Sequence, residues 1–137
     1  MADRIHFLGN LPQDEVGGWF GAADVVAIPS VRDDSGNVDG LPNTALEALA
    51  SGTAVVATSA GGLGSLVNDD RTGVVVPERD AAALADAIGR LLGDASRRAR
   101  LGRAGRDLVA ARFGWAAAAE RFEFAYDRAL AFRSAAR

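Results

Sequence analysis

Pro42-Asn-Thr-Ala-Leu-Glu-Ala-Leu-Ala-Ser-Gly-Thr-Ala-Val-Val-Ala-Thr58 sets a helix directly before a strand. Proline suits the first helical position, where its missing N–H costs nothing and its φ is already helical. Gly52 stands just past the last helical residue, where a left-handed cap is favoured. These signals predict a helix over residues 42–51. Ala54-Val-Val-Ala-Thr58 is continuously apolar rather than alternating. Such a strand is buried on both faces, which predicts a parallel sheet with helices on each side.

The same alternation recurs outward from this unit. Ile5-His-Phe-Leu8, Asp24-Val-Val-Ala-Ile28 and Thr72-Gly-Val-Val-Val76 read as three further strands, the last stopped by Pro77. Residues 13–22 read as a helix despite the Gly17-Gly18 pair, and Gly61-Gly62 opens a short helix running to Val67. Residues 31–40 are polar and rich in Gly and Asp, the mark of a loop. Beyond Pro77 the pattern becomes helical, over 81–92, 94–112 and 115–132. The fold class expected is α/β, a Rossmann-like parallel sheet with flanking helices. Residues 1–137 form one domain, with a helical C-terminal part from about residue 80.

Composition narrows the function classes. The chain has 137 residues, 49% hydrophobic and 24% charged, so it is globular rather than disordered. It has no Cys and one His, which excludes disulfide scaffolds, Cys-ligated metals and His-rich metal sites. All 15 basic residues are Arg, so no lysine chemistry is open to it. A net charge of −3 argues against a nucleic-acid partner. No secretory leader is visible and no apolar run could span a bilayer, so a cytoplasmic location is expected.

In open α/β sheets, ligands bind beyond the carboxyl ends of the strands. After Ile28 a long polar loop delivers Gly40-Leu-Pro-Asn onto a helix start. The first N–H groups of a helix lack internal partners and carry positive dipole character, so phosphate oxygens fit there. Pro42 forfeits one donor, leaving Asn43 and Thr44 free to donate. Gly40 permits close approach of backbone to a ligand. Glu47 lies one turn after Asn43 on the same face, and an ionised carboxylate suits a vicinal diol such as a ribose. Asp39 is placed to meet a second set of hydroxyls. Proline and glycine at a helix start also serve as ordinary capping, and a helical Glu as a solvated charge.

The ordered set is more specific than its pieces. His6-Phe-Leu-Gly-Asn-Leu-Pro12 precedes Trp19-Phe-Gly-Ala-Ala-Asp-Val-Val-Ala-Ile-Pro-Ser30. Asp39-Gly-Leu-Pro-Asn-Thr-Ala-Leu-Glu-Ala-Leu-Ala-Ser-Gly52 follows, then Ala54-Val-Val-Ala-Thr-Ser-Ala-Gly-Gly62 and Thr72-Gly-Val-Val-Val-Pro77. The whole chain, including Phe113-Gly-Trp115, resembles the C-terminal donor-binding domain of GT-B glycosyltransferases of family 4, also called group 1. The family pattern is an acidic residue, seven residues, then Glu. The resemblance implies a catalytic pair of Asp39, contacting the transferred sugar, and Glu47, holding the nucleotide ribose. Gly40, Leu41, Asn43 and Thr44 would donate backbone N–H groups to sugar and phosphate, with Pro42 between them. It implies a retaining transfer from a nucleotide-diphosphate sugar to a glycan, lipid or small acceptor, with no cofactor and no obligatory metal. Asp39 stands where most relatives have Glu, and Ser65 where many have Glu.

The resemblance covers roughly the last third of such an enzyme. The family's earlier strand ending in Gly-Arg, its Lys and its acceptor domain have no counterpart upstream of His6. Two lost charge-assisted contacts would weaken donor binding about 100- to 10,000-fold. The isolated chain is therefore expected to bind weakly without turnover. Its partners would be the donor sugar and the missing acceptor domain or upstream half. The open edge left at residues 24–28 would favour a dimer, a repacked first strand or marginal stability. The rival expectation is a non-catalytic remnant or interaction module that keeps the fold.

Other candidates have plainer readings. His6 reads as a strand-end residue rather than a base. Asp33 and Asp34 read as solvated carboxylates. Ser30 and Ser59 lack a His partner. The stretch Arg97, Arg98, Arg100, Arg103 and Arg106 reads as a solubilising face. Peripheral membrane contact through that face is the less favoured alternative. Trp115, Phe122 and Tyr126 are expected to pack in a core or interface.

Overall fold

The computed structural model describes residues 2–38 and 40–135. Its elements are α1 (Gln13–Ala22), β1 (Val25–Ile28), α2 (Asn43–Ala50), β2 (Ala54–Thr58), β3 (Val74–Val76), α3 (Ala81–Leu92), α4 (Ala95–Arg112) and α5 (Trp115–Ala135). Short 3-10 turns occupy Ala2–Arg4 and Gly61–Ser65. The three strands form one parallel sheet in the order β1-β2-β3, with Val25 beside Ala54 and Val56 beside Val74.

β2 is buried along its whole length. Its residues alternate between two cores, because successive side chains in a strand leave opposite faces. Val55 and Ala57 join Ala45, Ala48 and Leu49 of α2 with Leu63, Leu66 and Val67. Ala54 and Val56 join Val76, Ala87, Leu91 and Leu101 from β3, α3 and α4. A fully buried Val or Leu side chain contributes about 1.5–3 kcal/mol, so this strand anchors both layers.

The end of α2 follows its sequence signal, and side-chain caps open α3 and α4. Gly52, with φ of 81°, ends α2, and its N–H donates to the Leu49 carbonyl at 3.0 Å. Asp80 and Asp94 cap α3 and α4 by accepting from the N–H groups of Ala83 and Arg97. α4 lies against the α2–β2 turn at backbone distance. A Cβ on Gly102 would overlap the Gly52 carbonyl oxygen, and one on Gly105 would come within 2.6 Å of Leu49 Cδ2.

One expectation fails and another fails in part. Ile5-His-Phe-Leu8 is not a strand: the segment is irregular, and Ile5, Phe7 and Leu8 are exposed, Phe7 to 95%. A strand exists only through backbone pairing, and no described strand lies beside this segment. The core half of the aromatic expectation fails too: Trp115, Phe122 and Tyr126 are exposed, Trp115 to 93%, which leaves an interface as the other half of that expectation. Their helical spacing holds, but among the described residues no element covers that face of α5. Smaller differences lie at ends: α2 begins at Asn43, β1 at Val25 and β3 at Val74, and the helix opened by Gly61 is a 3-10 turn ending at Ser65.

Candidate functional site

The site candidates gather at the carboxyl end of β1, where the loop after Ile28 leads into α2. Asp33 shapes that loop. Its Oδ1 accepts from Ser35 N–H at 2.9 Å, Ser35 Oγ at 2.7 Å and Asn37 N–H at 2.8 Å. The Ser35 hydroxyl, then the Asn37 amide, hold the carboxyl below its ordinary value. Asp33 is thus a turn-builder, not merely a solvated carboxylate. Asp34 pairs with Arg79 at 3.4 Å.

The loop is fastened to the turn after β3. Arg32 N–H donates to Glu78 Oε2 at 2.7 Å, and Arg79 Nη2 donates back to the Arg32 carbonyl at 2.7 Å. Thr58, at the end of β2, donates its hydroxyl to the Ser30 carbonyl. Beneath this clamp a cavity of about 210 Å³ opens beside Pro29, Val31, Thr58, Pro77 and Leu84. Its lining is largely apolar, and Glu47 and Asn43 lie outside it.

Gly40, Leu41 and Pro42 carry the chain into α2. Leu41 is half-buried and packs on the α2 core, while Asn43 and Thr44 are exposed. Pro42 occupies the N-cap, and its carbonyl accepts from Ala45 N–H at 3.0 Å. Among the described residues no side chain caps the amides of Asn43 and Thr44. Glu47 is half-buried, and its carboxylate has no hydrogen-bond or ionic partner among the described residues. Asp39 lies outside the described residues.

One neighbour of this turn is absent from the sequence-based candidates. Gly62, just after β2, lies against Gly40: a Cβ there would overlap the Gly40 carbonyl oxygen and stand 3.0 Å from its carbon and 3.4 Å from Leu41 Cδ1. The signal in the sequence is the Gly61-Gly62 pair, which local reading interprets as a helix start. Ser65 donates its hydroxyl to the Gly62 carbonyl at 2.7 Å, closing the same turn.

The remaining candidates sit elsewhere. His6 is exposed in the irregular N-terminal segment. Three arginines of the basic stretch are engaged by protein. Arg97 and Arg100 both pair with Asp70 at 3.0 Å. Arg98 pairs with Asp24 at 3.1 Å and donates to the Leu91 and Leu92 carbonyls. Among the described residues, no helix is long and apolar enough to cross a membrane.

A three-stranded parallel sheet with flanking helices matches the C-terminal domain of GT-B glycosyltransferases. Sucrose-phosphate synthase from Thermosynechococcus elongatus superposes with a TM-score of 0.81 at 36% identity, covering 94% of this chain and 31% of that one. The family model for glycosyl transferases group 1 matches residues 1–94, and the chain belongs to that family. A D-inositol 3-phosphate glycosyltransferase of Corynebacterium diphtheriae is 44% identical over 126 residues, 92% of this chain and 28% of the relative. A GDP-mannose-dependent alpha-(1-6)-phosphatidylinositol monomannoside mannosyltransferase of Mycobacterium tuberculosis is 38% identical over 116 residues, 84% of this chain and 30% of the relative. The chain thus spans less than a third of the length of these curated relatives.

Proposed function

We propose that this chain forms the donor-binding part of a retaining glycosyltransferase that takes a hexose or related sugar from a nucleotide-diphosphate sugar. The observation that carries this is the start of α2. Asn43 and Thr44 are exposed and no side chain among the described residues caps their amides, and one turn further a half-buried Glu47 carboxylate has no described protein partner. Half-buried charge without a partner is unfavourable unless a ligand or water satisfies it. In this reading Glu47 accepts from the ribose hydroxyls. The amides of Gly40, Leu41, Asn43 and Thr44 donate to sugar and phosphate oxygens, and Pro42 presets the helical entry. Asp39 contacts the transferred sugar. As the anomeric C–O bond to phosphate breaks, negative charge grows on the leaving diphosphate. The positive end of α2 stabilises that charge without requiring a metal ion. The name of the mycobacterial relative supports a GDP-sugar among the donor classes to test.

A second reading, an interaction module without turnover, draws on the exposed aromatic residues of α5. Calorimetric titration of the chain with UDP and GDP separates the two. The donor-site reading expects binding at about 0.1–10 mM, the range left when two charge-assisted contacts are missing from a micromolar site. Glu47→Ala should weaken it about tenfold, the worth of one hydrogen bond to a charged group. Equal affinity in that variant removes Glu47 from the site, and no binding by the unaltered chain favours the second reading.

A further inference from the structure

Gly62 is glycine for reasons of space. Its neighbour Gly61 has φ of 55°, a left-handed conformation, whereas Gly62 does not. Gly64, in the same 3-10 turn, has open space where a Cβ would stand. At Gly62 that space is filled by the Gly40 carbonyl group. The contact has an orientational consequence. The Gly40–Leu41 peptide is planar and trans, so its C=O and N–H point in opposite directions. With the carbonyl turned toward Gly62, the Leu41 N–H is turned away from it.

Resting on the donor-site reading above, we propose that Gly62 is a positioning residue that fixes the Gly40–Leu41 peptide plane so that the Leu41 N–H serves the donor's diphosphate. Gly62 touches no ligand. It acts by letting the turn after β2 lie flush on the loop before α2, and any side chain there displaces or rotates that peptide. Backbone displacement is the outcome because the atom met is a carbonyl rather than a side chain able to swing aside.

The test uses a matched control within the chain. A Cβ at Gly102 would overlap the Gly52 carbonyl just as one at Gly62 overlaps that of Gly40, but Gly52 lies beside the amino end of β2, away from the α2 start. Gly62→Ala, Gly64→Ala and Gly102→Ala are compared by thermal melting, by amide NMR of the folded chain and by titration with UDP and GDP. Gly62→Ala should shift the Leu41 amide resonance and weaken both nucleotides about tenfold, as for loss of one charge-assisted donor. Gly102→Ala should lower the melting temperature with nucleotide affinity unchanged, and Gly64→Ala should change neither. Should Gly62→Ala not fold, replacing Leu41 by its α-hydroxy acid deletes the same N–H while adding no bulk, and the same tenfold loss is expected. A Gly62→Ala chain that binds like the unaltered one overturns the inference alone, as does an equal affinity loss in Gly102→Ala. An ester at Leu41 that leaves binding unchanged also overturns it. An unaltered chain that binds neither nucleotide overturns the donor-site reading, and this inference with it.

Discussion

α4 and α5 invert the usual relation between composition and burial. α4 carries six arginines, at 97, 98, 100, 103, 106 and 112, and is the more polar helix. Yet Leu101, Gly102 and Gly105 of α4 are buried, whereas Trp115, Phe122, Phe124, Tyr126 and Phe132 of α5 are exposed. The difference lies in surface shape. Two glycines let α4 approach the α2–β2 turn at backbone distance, and its arginines reach around to Asp24, Asp70 and the last carbonyls of α3. α5 has apolar surface but no described element to lay it on. Burial is decided by what an element can touch, and hydrophobicity contributes only once contact exists.

The largest effect is expected from truncating the one large buried side chain of α4. Leu101→Ala should destabilise the chain by about 2–5 kcal/mol, seen as a lower urea midpoint. A change below about 0.5 kcal/mol would mean that α4 is not packed as described. A smaller effect should come from its polar side. The Arg100 and then the Arg97 guanidinium hold the Asp70 carboxyl below its ordinary value of 3.8. A carboxylate whose folded pKa is depressed stabilises the fold above its unfolded pKa, and loses that contribution as pH falls through the folded pKa. Asp70→Asn should therefore lower the melting temperature slightly at neutral pH and leave it unchanged once both forms are measured below that range. A difference that persists at acid pH would assign Asp70 a role in its turn, where its φ of 54° is already unusual, rather than in the ion pairs. The smallest effect is expected on α5. Phe122→Ser should alter the stability of this chain by no more than about 0.5 kcal/mol, as for any exposed position. A loss approaching that of Leu101→Ala would show that α5 finds a partner surface in solution.

The parts legible in the sequence are those set by local rules. α3 runs over residues 81–92 as its periodicity requires, and the unbroken apolar run of β2 does lie between two helical layers. Ile5-His-Phe-Leu8 shows the limit: its residues favour a strand, but pairing is supplied from elsewhere. The core half of the α5 aromatic expectation fails for the same reason, since period identifies a face and not what covers it. At the candidate site, the entry into α2 and the spacing of Asn43 and Glu47 are local and can be read directly. The Arg32–Glu78–Arg79 clamp joins positions 46 and 47 apart, and the Gly62–Gly40 contact joins two loops. Neither leaves a pattern within one stretch of chain.

The alternation along β2 makes the strand a party wall. Val55 looks into the compartment shared with α2, and Val56 into the one shared with α3 and α4. Substitutions on the α3 side can accumulate and be compensated there while the room beside α2 keeps its dimensions, so the two halves of the interior are free to drift at different speeds.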